Sequence, residues 1–223
     1  MIKKIIITDF IYGNAIFKLP KEIIKKFSKK IDLKYIDDKK FNPDLVEIYW
    51  GTRIKNSDIK KYKNLKWIHF GSIGTDKIKL SSLKDKKIIV TNSKAINSIS
   101  VAKLVLLYLL DIEKKILKLN NSSNRKIYEK KIENSLNLSS EKILILGYGN
   151  IAKKINILAN KLRLNIDFYS SRSSLLKKKN IQNYKQTIKK LNSYKIIINL
   201  LKYNDHNKNF ISKNFIKKLN KHV

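Results

Sequence analysis

The 223-residue chain is 43% hydrophobic, has no cysteine and carries a formal net charge of +33. That is apolar material for one large core or two modest ones, and it excludes a disulfide framework and a thiolate metal site. Only four of the 50 basic residues are arginine (Arg53, Arg125, Arg163, Arg172), and the lysine excess runs through both halves.

A nucleic-acid surface favours clustered arginine and aromatic platforms. Abundant lysine, isoleucine and asparagine follow more simply from codons rich in A and T. Nucleic-acid binding is therefore not expected, and no metal site is expected. The most apolar segment, residues 101–110, is too short for a membrane span and contains Lys103. The N-terminus enters a strand-like run directly, without a signal-peptide cleavage site. The expected location is the cytoplasm, with no membrane partner.

In chain order, residues 1 to about 92 alternate short apolar runs with amphipathic stretches, the pattern of a parallel α/β domain. Strands are expected at Lys4–Thr8, Leu33–Ile36, Leu45–Trp50, Trp67–Phe70 and Ile88–Thr91. Pro20 opens a helix whose apolar face is Ile23, Ile24 and Phe27. The loop from Gly71 to Asp76 follows a strand, at the edge where open α/β sheets bind ligands.

Ser98 or Ser100 is expected to cap a long helix over residues 99–119. Its first three turns are apolar on nearly every side, which predicts burial or contact with a second subunit. Residues 120–140 are polar and read as a surface connection.

The stretch from Lys142 to Ala152 then places a β-favouring run, Gly147 and Gly149, and a helical repeat (Ile151, Ile155, Leu158, Ala159, Leu162) in immediate succession. Strand, glycine turn and helix in that order form the context of a dinucleotide fingerprint. The first glycine serves the tight turn and the second the approach of a pyrophosphate. Ala152 permits close helix–strand packing. Phosphates would lie against unpaired N–H groups at the helix start. Further strands are expected at Leu164–Ser170 and Ile196–Leu201, the second of them buried, and helices at Tyr184–Leu191 and Phe210–Leu219.

Four collinear stretches resemble the D-isomer-specific 2-hydroxyacid dehydrogenases: Leu65 to Asp76, Ile89 to Asn92 with Asn97 to Ala102, the glycine turn, and Ser193 to Leu201. The resemblance implies an α/β chain in which a flavodoxin-like substrate domain (1–96) precedes an incomplete Rossmann domain (97–223). It implies hydride transfer between a nicotinamide and C2 of a small 2-hydroxy or 2-keto acid. It implies a homodimer through the 99–119 helix. By position, backbone N–H groups of Ile73 and Gly74 would hold the substrate carboxylate, and Gly147, Tyr148, Gly149, Asn150 and Ile151 the pyrophosphate.

The family's catalytic Arg, acidic residue and His fall in sequence beyond Val223, so no catalytic residue is assigned. The chain reads as the N-terminal portion of such an enzyme, inactive alone. The alternative is a non-catalytic dinucleotide-binding or interaction module. Lys103 stands where many members have Glu, and Leu201 replaces a common proline.

Among the histidines, His69 reads as a packed or partly exposed strand residue and His222 as terminal. His206 lies in a polar loop beside the presumed nicotinamide region, and its neighbour Asp205 does not make it an oriented acid–base pair. In NAD-selective Rossmann domains an acidic residue about 20 positions past the glycines binds the ribose. That position is Ser170 here, whereas Asp167 lies within the strand. Ser170, Ser171 and Arg172 would accommodate a 2′-phosphate. The cofactor expected is NADP or NAD, with NADP slightly favoured.

Overall fold

A computed structural model describes residues 4–9, 21–38, 40–72, 78, 83, 87–119 and 136–220. The chain divides into two compact units, Met1–Lys94 and Ala95–Val223. Each contains one sheet in which every strand pair is parallel.

The first unit runs β1 (Lys4–Thr8), α1 (Lys21–Phe27), β2 (Ile31–Tyr35), β3 (Val46–Gly51), α2 (Asn56–Ile59), β4 (Trp67–Phe70) and β5 (Ile89–Asn92). Its strand order is β2-β1-β3-β4-β5. The five expected strands form, with ends displaced by up to two residues, as ladder pairing rather than side-chain type sets the boundaries. Ile7, Val46, Tyr49, Ile68 and Phe70 build its core. Phe27, expected on the apolar face of α1, is 44% exposed. Pro20 and the side chain of Ile23 lie outside what is described.

A buried carboxylate ties the carboxyl ends of β1 and β3 together. Asp9 accepts a hydrogen bond from the Tyr49 hydroxyl and others from the backbone N–H groups of Thr52 and Arg53. Gly51 is required there, because a Cβ would stand 2.6 Å from the Asp9 carboxyl carbon.

The second unit runs α3 (Ser98–Lys114), α4 (Ile116–Leu119), β6 (Lys142–Leu146), α5 (Asn150–Lys161), β7 (Asn165–Tyr169), β8 (Ile181–Gln182), α6 (Tyr184–Lys189), β9 (Ile196–Asn199) and α7 (Lys213–Lys217). The sheet order is β8-β7-β6-β9, or 3-2-1-4 in local sequence order. β6 is covered on both faces, which explains its unbroken apolar run. Ile143 and Ile145 pack with residues of α3 and α5, while Leu144 and Leu146 pack with Tyr169, Tyr194 and Phe215 on the opposite face.

Three expectations are corrected in this unit. The 99–119 helix is two helices. Lys115 takes a left-handed conformation (φ 53°), and the Asp111 carboxylate accepts the Leu117 N–H at 2.8 Å, starting a new turn. The N-cap is Asn97, which makes no side-chain capping bond, and not Ser98 or Ser100. β9 is half-buried instead of buried, since among the described strands it pairs with β6 alone. Residues 120–135, most of the expected surface connection, lie outside the described residues.

Candidate functional site

The glycine turn sits at the carboxyl end of β6, flanked by β7 and β9. The Gly147 N–H donates to the Tyr169 carbonyl at 3.0 Å, and the Leu200 N–H donates to the Leu146 carbonyl at 2.9 Å. In the order 3-2-1-4 the sheet reverses direction between β6 and β9. The carboxyl edge at such a reversal is where open α/β sheets leave a crevice for ligands.

The two glycines have different reasons to be there. Gly147 has φ +105°, and a Cβ would stand 3.0 Å from the Leu200 carbonyl oxygen, so the fold itself demands glycine. Gly149, the N-cap of α5, has φ −92° and ψ −162°, a backbone that any residue adopts. A Cβ on it would meet no atom within 4 Å. Among the described residues no contact accounts for glycine at 149, and the backbone there is open to close approach.

α5 supplies the matching electrostatics. The amides of Asn150, Ile151 and Ala152 precede the first intrahelical bond, Lys153 N–H to the Gly149 carbonyl at 3.0 Å. They are the unpaired donors of a helix start, where the helix dipole is positive. Ala152, 1% exposed, packs in the core as a small residue must for helix and strand to approach. The turn, its open face and these donors fit a pyrophosphate.

Tyr148 contributes backbone only. Its side chain is buried edge-on against Phe168, with ring centroids 5.0 Å apart, and its carbonyl accepts a 2.6 Å bond from Arg172 Nη2. Ser170 is buried, and its Oγ accepts the Arg172 backbone N–H at 3.2 Å. Ser171 is exposed. Asp167 faces away from the strand end: its Oδ2 accepts from Gln182 Nε2 at 2.7 Å and from the Tyr194 hydroxyl at 2.8 Å. Burial first, then this hydrogen bond and the carboxylate charge, hold the Tyr194 phenol well above its ordinary pKa.

Sequence reasoning missed a cavity of ≈ 660 Å³ at the carboxyl end of β7. Tyr169, Tyr184 and Phe210 supply its aromatic part, and Ser171, Asp205 and His206 part of its polar rim. Phe210 lies 4.7 Å from the Tyr169 ring and 5.5 Å from the Tyr184 ring. The residues come from three separate segments, so no local spacing announces them. His206 shares this cavity with Tyr169 and Ser171 at the end of β7, the strand whose end receives the adenosine ribose in such folds. Among the described residues no hydrogen bond joins it to Asp205.

His69 is packed as expected, its Nδ1 2.8 Å from Thr91 Oγ1 and its Nε2 3.3 Å from Ser93 Oγ. Leu201, in place of proline, uses its N–H to reach Asn199 Oδ1 at 3.1 Å. Ile73, Gly74 and His222 lie outside the described residues.

A family model described as D-isomer specific 2-hydroxyacid dehydrogenase, catalytic domain, matches residues 15–219. The D-3-phosphoglycerate dehydrogenase of Methanocaldococcus jannaschii is 28% identical over 170 residues, spanning 74% of this chain and 32% of that protein. Its Haemophilus influenzae counterpart is 31% identical over 103 residues, 46% of this chain and 25% of that protein. The chain therefore spans about a third or less of these curated relatives.

Among solved structures, an NAD-dependent formate dehydrogenase from Staphylococcus aureus in complex with NAD superposes with a TM-score of 0.79 at 17% identity, covering 98% of this chain and 71% of that one. A D-lactate dehydrogenase from Aquifex aeolicus with NAD and lactic acid gives 0.72 at 21% identity, covering 96% and 66%. An acyclic imino acid reductase with NADPH and D-Arg gives 0.74 at 19%, covering 96% and 71%.

Proposed function

The chain belongs to the D-isomer-specific 2-hydroxyacid dehydrogenase family, and from that premise we propose that its second unit binds a nicotinamide dinucleotide for hydride exchange with a small 2-hydroxy or 2-keto acid. The observation that carries this reading is Gly149, a glycine with open space around it at the start of a 12-residue helix.

In this reading residues 97–223 form a Rossmann domain, supported by the 3-2-1-4 strand order, and residues 1–96 a flavodoxin-like substrate domain, supported by the order β2-β1-β3-β4-β5. Both would operate in the cytoplasm. The dinucleotide, when bound, supplies the hydride chemistry. Gly147 shapes the turn, the N–H groups of Gly149, Asn150 and Ile151 hold the pyrophosphate, and the aromatic cavity receives the adenine end. Ile73 and Gly74 N–H groups hold the substrate carboxylate.

The cofactor is NAD(H) or NADP(H), without a preference. Position 170 carries no carboxylate to repel a 2′-phosphate, but Ser170 Oγ is turned to the backbone and Arg172 is engaged with Tyr148. The structures with NAD and with NADPH share the fold equally well.

Titration with NADH and NADPH, followed by the nicotinamide fluorescence or by calorimetry, tests the reading. Saturable one-to-one binding is expected, and no binding of either at millimolar concentration overturns it. Turnover with glyoxylate or hydroxypyruvate is not expected from these 223 residues alone. Both ring nitrogens of His69 are occupied, and among the described residues no hydrogen bond orients His206 as a proton donor. Binding without turnover describes the non-catalytic dinucleotide module.

A further inference from the structure

We propose that Arg172 is a positioning residue that sets the peptide between the two glycines, and not a selector of the 2′-phosphate; this rests on the dinucleotide reading of the turn. A backbone flanked by Gly147 and Gly149 is the most permissive that a chain offers, so something must choose its orientation. Two contacts do so. The Tyr148 ring is anchored against Phe168 of β7, and the Tyr148 carbonyl is held by Arg172 Nη2 at 2.6 Å. The Arg172 main chain is held in turn, its N–H bonded to the buried Ser170 hydroxyl.

The consequence follows from peptide planarity. In a trans peptide the C=O and the following N–H point in opposite directions. Holding the Tyr148 carbonyl on the guanidinium therefore turns the Gly149 N–H away from Arg172. With the opposite peptide orientation, a carbonyl oxygen would stand where that N–H does and repel a phosphate. The charge-assisted bond is of the stronger kind. Its effect falls on every ligand that carries the pyrophosphate, whether or not the ribose bears a 2′-phosphate.

The test compares the wild-type 223-residue chain with Arg172→Met and Arg172→Lys, using NADH, NADPH and ADP-ribose as probes. Arg172→Met is expected to weaken all three by a similar factor, roughly three- to tenfold, with Arg172→Lys recovering part of the loss. The melting temperature should barely move, as Arg172 is exposed. Without ligand, the backbone amide NMR signals of Tyr148–Ile151 should shift in Arg172→Met while those of the helix at Tyr184–Lys189 stay in place. A loss confined to NADPH, or unmoved signals at Tyr148–Ile151, overturns the proposal. Should the wild-type chain bind none of the probes, the dinucleotide reading fails, and the NMR comparison still decides whether Arg172 sets the turn.

Discussion

Tyr194 shows how a single buried hydroxyl couples this unit to pH. It is 1% exposed, and its O–H meets the Asp167 carboxylate, so the ionised form is disfavoured by burial and by a neighbouring negative charge. A folded-state pKa raised above the unfolded value of about 10 contributes stability that is complete below pH 10 and lost as pH rises beyond it. Tyr194→Phe should therefore lose less stability than wild type between pH 9 and 11, although it starts lower because Asp167 and Gln182 lose a partner. Denaturant unfolding at both pH values checks this; parallel losses in the two proteins would contradict it. The succession of strand, glycine turn and helix was legible in sequence because the three are contiguous there. The Asp167–Gln182–Tyr194 contact was not, since its members come from three elements brought together only by the sheet.

At the scale of elements, α3 carries an apolar excess that the second unit does not use. Ala102, Leu106 and Leu109 face inward, yet Leu104 is 47%, Leu107 58% and Tyr108 57% exposed. The sequence announced a helix whose first three turns are apolar on nearly every side, and the resemblance led to the expectation of a homodimer through this region. It did not announce the break at Lys115, because the local chemistry that ends the helix is one aspartate reaching a residue six positions on. Leu107→Asp is expected to convert a dimer to a monomer in light scattering with little change in secondary structure. Leu106→Ala should instead cost about 2–4 kcal/mol of stability by leaving a core cavity. A Leu107→Asp protein of unchanged mass in solution would remove this face from the interface. β6 and β9 mark the same limit. Both read as apolar runs, and only the ladder shows that one is central and the other lies at the end of the described sheet.

For the whole molecule, the net charge of +33 has a predictable cost that is independent of function. Like charges at this density repel one another, and salt screens them over about 8–10 Å. The melting temperature is expected to rise between 20 and 300 mM sodium chloride; a fall would show that attractive pairs dominate. The described ion pairs, such as Lys34–Asp32 and Lys63–Asp44, join partly exposed groups and contribute little. The expectation of two α/β units came from the collinear motifs and the resemblance they carry, and not from composition, which is alike in both halves. Substrate contacts at Ile73 and Gly74 rest on the resemblance alone. Among the described residues no helix is long and apolar enough to cross a membrane.

In the proposed reading Gly149 is glycine for the sake of a ligand, whereas Gly147 is glycine for the sake of the fold. NADH affinity and melting temperature, measured together for Gly149→Ala and Gly147→Ala, separate the two. Gly147→Ala should lose about 1–3 kcal/mol of stability, because a positive φ and the Leu200 carbonyl oppose a Cβ. Gly149→Ala should melt close to wild type, since the new methyl meets no protein atom within 4 Å, and should bind NADH at least tenfold more weakly. Wild-type NADH affinity in a stable Gly149→Ala protein would contradict the account.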